Sequence, residues 1–193
     1  MGVGGEQADA DRATRCAPER DPMLPDSVSS MNWREDRIGS AARGENPTVL
    51  AEMRSGYAVI GDVQFLPGYC VLLAKDPEAR AFSDLPRLDR VRFLADADLL
   101  AMAVESACRE ADAAFRRTNL EVLGNTDAFV HAHVWPRYSW EPTELLRKPV
   151  WVRDRDSWSD PATMLGAQHD AMRLSIAEHL SALMATDQVG FTE

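Results

Sequence analysis

Two histidines stand one residue apart in FVHAHVWPRY, residues 129–138. Imidazole is costly to bury without partners and titrates near neutrality, so His131 and His133 in an apolar run need a use or a solvated surface. Three readings compete. In the first, the two side chains sit half-exposed on a strand and bond to their neighbours. In the second, they share a divalent ion, which requires a third or fourth ligand. The sequence offers no second histidine cluster, CxxC or HExxH to supply one. In the third, one neutral imidazole attacks an electrophilic phosphorus and forms a phosphoramidate, while the other bonds phosphate oxygens or moves a proton.

The elements around the pair must set its direction. FVHAHVW alternates as a strand, stopped by Pro136. Val130, Ala132 and Val134 share one face, suited to packing on a helix; Phe129, His131, His133 and Trp135 share the other, toward a cleft. TNLEVLGN precedes it as a strand ending in the turn pair Gly124–Asn125. From about Pro86 to Phe115 the pattern is helical, with Val104, Cys108, Ala111 and Phe115 on one apolar face and RLDRVRFLADAD as a bent or separate start. YAVIGDVQFLPGYCVLLAKDPE reads as strand 57–61, a turn over 62–68 and strand 69–75. Upstream, a short helix from about Asn32 to Arg43 is followed in ENPTVLAEMRSG by a second, with Pro47 at its start and Gly56 at its stop. Downstream of an irregular Trp-, Pro- and Arg-rich segment, Asp160 and Pro161 predict the start of a final helix running to about Ala185. Leu165, Met172, Ile176 and Leu180 fall near one face of it, and His169 and His179 on different faces have surface or packing roles.

The chain has 193 residues, 45% of them hydrophobic, and a formal charge of −10. One compact domain with tails fits that length. The acidic balance argues against nucleic-acid or anionic-membrane partners but leaves room for a small phosphorylated ligand in a locally positive pocket. No run approaches the roughly 20 apolar residues of a membrane span. Cys16, Cys70 and Cys108 are odd in number and far apart, which argues against a disulfide framework and fits a reducing cytoplasm. Residues 1–29 are polar, Gly- and Pro-rich and aperiodic, the composition of a disordered leader. Residues 30–140 then form the main domain and 141–193 a C-terminal extension.

The combination of GDVQFLPGYCVLLA, LGN, the H-x-H pair and PRY resembles the histidine triad (HIT) family over residues 45–140. The family signature is HφHφHφφ, with φ apolar. The resemblance implies an α+β fold: an antiparallel sheet of about five strands with a long helix on one face, dimerising through the sheet edge and that helix. It implies a nucleotide hydrolase or nucleotidyltransferase, acting on substrates such as dinucleoside polyphosphates or nucleoside phosphoramidates. The nucleophile position falls on His131 and the third triad position on His133. The first falls on Phe129, a departure that removes one polar contact and makes a catalytically weak nucleotide binder the principal alternative, ahead of a metal-dependent hydrolase. Asn125 and Thr126 fall where the family places polar groups against phosphates, though Gly-Asn also favours a plain turn. Asp62 falls near the ribose-binding acid, with Gln64 as a second candidate. Arg137 is placed either to neutralise phosphate or to pair with an acidic neighbour. The basic residues 147–155 would pair with nearby acids in solvent. No protein-bound cofactor is implied; Mg²⁺ enters only with a polyphosphate substrate.

Overall fold

Apolar runs bounded by turn residues become the centre of a sheet. The computed structural model describes residues 32–124 and 126–187. A short helix α1 (Arg37–Ala42) leads into β1 (Val49–Glu52), β2 (Gly56–Ile60) and β3 (Cys70–Ala74). The long helix α2 (Arg87–Ala111) follows, then β4 (Phe115–Leu123), β5 (His131–Tyr138) and, after the C-terminal segment, α3 (Asp170–Thr186). The five strands form one antiparallel sheet in the order β1-β2-β3-β5-β4. This is the α+β architecture expected from the sequence. No helix among the described residues is long and apolar enough to cross a membrane.

Helix α2 packs on the sheet face that carries Ala132 and Val134, both fully buried, opposite Leu72 and Cys70 of β3. Its inward side is Phe93, Ala97, Leu100, Val104 and Cys108. Buried Asp96 accepts the Ser55 N–H at 2.7 Å and its hydroxyl at 2.6 Å, which ties the β1–β2 turn to the helix. Gly68 lies in the left-handed region (φ 93°), and a side chain there would run into Cys108 Sγ, so the LPGY turn and the helix meet as backbone against thiol. Cys70 and Cys108 are buried; Cys16 and residues 1–29 lie outside the described residues. The described residues belong to one compact unit, with α3 packed on α2 and β1.

Four local expectations are corrected. ENPTVLAEMRSG holds strand β1, not a second helix. Asn46 Oδ1 accepts both the N–H and the hydroxyl of Thr48, at 3.0 and 2.7 Å, an Asx turn that competes with helix, and β2 supplies an extended partner. Helix α2 runs unbroken from Arg87 and ends at Ala111, so Phe115 starts β4 and Ala111 is exposed. Pro136 does not stop β5: the ladder to β3 ends at Val134, so beyond it no β3 carbonyl needs the N–H that proline lacks. The final helix begins nine residues late, at Asp170 in place of Pro161. Residues 163–165 are drawn into extended pairing with the 62–64 loop, through Gln64 N–H to Thr163 O (2.6 Å) and Leu165 N–H to Asp62 O (2.9 Å). Asp160 therefore closes a turn, its carboxylate accepting the Ala162 N–H, and Leu165 lies off the α3 face formed by Ile176 and Leu180.

Candidate active site

Strand phase carries the histidines to the sheet face opposite α2. In the central ladder His131 lies across from Leu73 and His133 across from Val71, and on the other side His131 faces Leu123 of β4. These residues, with Val59, Ile60 and Val63, form the apolar floor of a cleft of about 600 Å³. Phe129, Thr126 and Asp127 close one end, and Arg37, Asp62 and Tyr69 line the side formed by α1 and the β2–β3 loop. Trp151 and Trp158, from the C-terminal segment, stack on each other at 5.1 Å and complete the wall.

The hydrogen bonds fix both tautomers. His131 Nδ1 lies 2.8 Å from the Phe129 carbonyl oxygen. A carbonyl only accepts, so Nδ1 carries a proton, and in the neutral imidazole the lone pair is on Nε2. His133 Nδ1 lies 2.7 Å from the Tyr69 hydroxyl. Burial pushes the Tyr69 phenol well above its ordinary value, so it keeps its proton. His133 Nδ1 is the hydroxyl's only hydrogen-bond partner among the described residues, so the arrangement that uses that proton has Tyr69 donating to Nδ1. The proton of His133 is then on Nε2, a donor suited to a phosphate oxygen. The two imidazoles meet edge-on at 4.7 Å, and His133 lies parallel to both Tyr69 and Trp135 with Trp151 edge-on to it.

Burial lowers the His133 pKa from 6.5 to about 3, with a smaller contribution from neighbouring His131. Between those values the unfolded chain holds a proton on His133 that the folded chain refuses. Stability therefore rises with pH across that window, and is lost as pH falls from about 6.5 toward 3. The slope from this one group is at most about 1.4 kcal/mol per pH unit. Denaturation at pH 5 and pH 7 checks it: His133→Phe should flatten the difference, and an unchanged slope would contradict a neutral, buried His133.

The other predicted residues separate by role. Asp62 faces the cleft, but one oxygen is held by Arg37 at 2.6 Å, with Arg34 3.8 Å away. Gln64 is buried and clamps the loop: its amide donates to Gly61 O (2.9 Å) and Tyr69 O (3.0 Å) and accepts from Gly68 N–H (2.9 Å). It positions Asp62 and Tyr69 rather than lining the cleft. Thr126 is exposed at the mouth; Asn125 lies outside the described residues. Arg137 is absent from the cleft lining. Its guanidinium forms a buried pair with Glu141 (2.8 and 3.1 Å) and also donates to the Lys148 and Leu145 carbonyls, which is the acidic-neighbour reading of that residue. Arg153 joins the same carboxylate at 2.6 Å, so one member of the basic segment is in a buried pair, not a solvated one.

Sequence reasoning missed Tyr69, Arg37, Asp127, Trp151 and Trp158 as cleft residues. Tyr69 was within reach, because it shares the phase of Val71 and Leu73 on the strand beside the histidines. The tryptophans stood in a segment with no periodicity to aim them, and nothing local marks Arg37. Among the described residues no group of three or more His, Cys, Asp or Glu is arranged to hold a metal ion.

No family model and no curated protein matches this chain. Solved structures do match in fold. A histidine triad protein from Marinobacter aquaeolei VT8 is 20% identical over 70% of this chain and 89% of its own, with a TM-score of 0.56. A hypothetical histidine triad nucleotide-binding protein from Sulfolobus tokodaii strain7 is 10% identical over 80% and 98%, with a TM-score of 0.57. A Zn-bound histidine triad family protein from Mycobacterium smegmatis is 18% identical over 77% and 94%, with a TM-score of 0.51. The chain has the HIT fold.

Proposed function

We propose that a chain with this fold and this cleft is a nucleotide hydrolase or nucleotidyltransferase working through a nucleotidyl-histidine, on dinucleoside polyphosphates or nucleoside phosphoramidates. The observation that carries the reading is the His131 Nδ1 bond to the Phe129 carbonyl, which puts the lone pair of the neutral ring on Nε2, directed away from its own backbone. Nε2 attacks the α-phosphorus. The P–O or P–N bond to the leaving group breaks, and the departing atom keeps the bonding pair and takes a proton from water at the cleft mouth. Water then attacks the same phosphorus and gives its proton to solvent, and the P–N electron pair returns to Nε2. Another acceptor hydroxyl in place of water makes the reaction a transfer. The His133 Nε2–H and backbone N–H groups stabilise the charge on the phosphoryl oxygens.

The nucleoside is assigned to the Val59, Ile60 and Val63 side, where the free oxygen of Asp62 accepts ribose hydroxyls. Strand β4 is a sheet edge with Leu120 and Val122 exposed, and α2 exposes Leu94 and Met102. We place the second copy of a homodimer on this edge and helix; a solution mass of one chain would contradict it.

A second reading has its own observation. Phe129 stands where the triad has its first histidine, with its ring 5.1 Å from His131, so the nucleophile lacks one polar neighbour. On that reading the cleft holds a nucleotide without useful turnover. A panel of dinucleoside polyphosphates, phosphoramidates and nucleotide sugars decides between them. Turnover of one class supports the enzyme, calorimetric binding without turnover supports the binder, and neither would sink both.

A further inference from the structure

The charge around the His131 cleft is unsuited to a long polyanion. Its charged lining is Arg37, Asp62 and Asp127, and Arg37 is already tied to Asp62 at 2.6 Å. Positive charge lies next door. A second cavity of about 400 Å³ is lined by Arg116, Arg117, Arg147 and Lys148, with Asn119 between them. Among the described residues none of these four cations forms an ion pair, in a chain whose formal charge is −10. Arg137 also borders the cavity, already neutralised by Glu141, and Glu121 is the only carboxylate in the lining.

The placement comes from strand geometry. A register shift between Phe115 and Arg117 interrupts the alternation of β4, and both Arg116 and Arg117 reach the same cavity. Farther along β4, Asn119, Glu121 and Leu123 alternate onto the histidine face. Leu123 lines the first cleft, and Glu121 and Asn119 line the second. At about 3.3 Å per residue, Asn119 lies about 13 Å along the strand from Leu123, which faces His131. The divider is Trp151, which lines the His131 cleft and donates its Nε1–H to Glu121 at 2.8 Å. Arg147 and Lys148 lie just before Trp151 in the chain, so the same segment walls one cavity and charges the other.

We propose that this basic cavity is a second subsite for the distal phosphates of a polyphosphate leaving group whose α-phosphorus sits at His131. The proposal rests on the nucleotidyl-histidine reading and selects, between the two substrate classes, the polyphosphate. A phosphoramidate with an uncharged leaving group has nothing to place there. The four cations act as a polyanion anchor, strongest at low ionic strength because all four are exposed.

The test uses the full chain with inorganic tripolyphosphate as probe, followed by calorimetry at low salt. Arg116→Glu/Arg147→Glu should weaken binding at least tenfold. Lys148→Ala, a milder exposed change, should weaken it less but measurably, while circular dichroism stays unchanged. His131→Ala should bind tripolyphosphate like the wild type, so failure of the nucleotidyl chemistry would leave this arm intact. In turnover, the double variant should raise KM for a dinucleoside polyphosphate at least tenfold and leave a phosphoramidate of the same nucleoside within twofold. Tripolyphosphate binding that ignores both variants overturns the proposal. So does an equal rise in KM for both substrates, or an oligonucleotide that binds the cavity more tightly than tripolyphosphate does.

Discussion

His131→Ala lowers kcat by at least about 10⁴-fold on whichever substrate the wild type turns over, because no other group at the cleft presents an unprotonated ring nitrogen to the α-phosphorus. On the proposed reading the loss belongs to kcat, since the side of the cleft assigned to the nucleoside is lined by Val59, Ile60 and Val63. Folding is little affected. The substitution removes one hydrogen bond to the Phe129 carbonyl, worth about 1 kcal/mol, and one buried ring that lines the cleft. A thermal melt within a few degrees of wild type, alongside lost turnover, is the expected pair of results. His133 is not a substitute nucleophile on this reading: its Nδ1 is paired with the Tyr69 hydroxyl, and with Tyr69 as donor the ring proton is on Nε2.

The largest expected loss of stability lies outside the cleft, at Glu141→Ala. The side chains of Arg137 and Glu141 are 6% and 0% exposed. Removing the carboxylate strands a buried guanidinium, and breaking such a pair costs about 3–5 kcal/mol. It also leaves the Tyr138 N–H, 2.9 Å from Glu141, and Arg153 without their acceptor. The consequence reaches the site, because Arg137 holds the Leu145 and Lys148 carbonyls and so fixes the segment leading to Trp151. The urea midpoint should fall sharply, whereas replacing both partners together, Arg137→Met with Glu141→Leu, should recover most of the loss. Equal losses in the single and double variants would contradict the pairing argument. Burial by itself would raise the Glu141 pKa, but the bonds from Arg137, Tyr138 N–H and Arg153 outweigh it and hold the carboxyl below its usual value. Its contribution is therefore present above the ordinary carboxylate range and is lost as pH falls through the depressed folded value.

What could be read from the chain alone divides along physical lines. The alternation in FVHAHVW fixed the face of the histidines, because a period of two survives whatever packs on the sheet. The long apolar stripe identified α2 for the same reason. Strand β1 was hidden: its four residues gain strand character only from β2, and Pro47 and Gly56 imitate helix boundaries. The start of α3 was misplaced because residues 163–165 pair with a loop a hundred positions earlier, a contact no local pattern announces. At the site, His131 and His133 were legible from type and spacing. Gln64 and Arg137 were legible as polar residues, but their partners, and so their structural roles, depend on backbone groups brought in by the fold.

The central claim is a covalent bond from His131 Nε2 to phosphorus, and intact mass in a single turnover tests it most directly. With enzyme in excess over substrate and an alkaline quench, the wild type should gain the mass of one nucleoside monophosphate less water. That adduct should be labile to acid, map to His131, and be absent from His131→Ala. Turnover that proceeds with no adduct at any time point, or an adduct on another residue, would contradict the account.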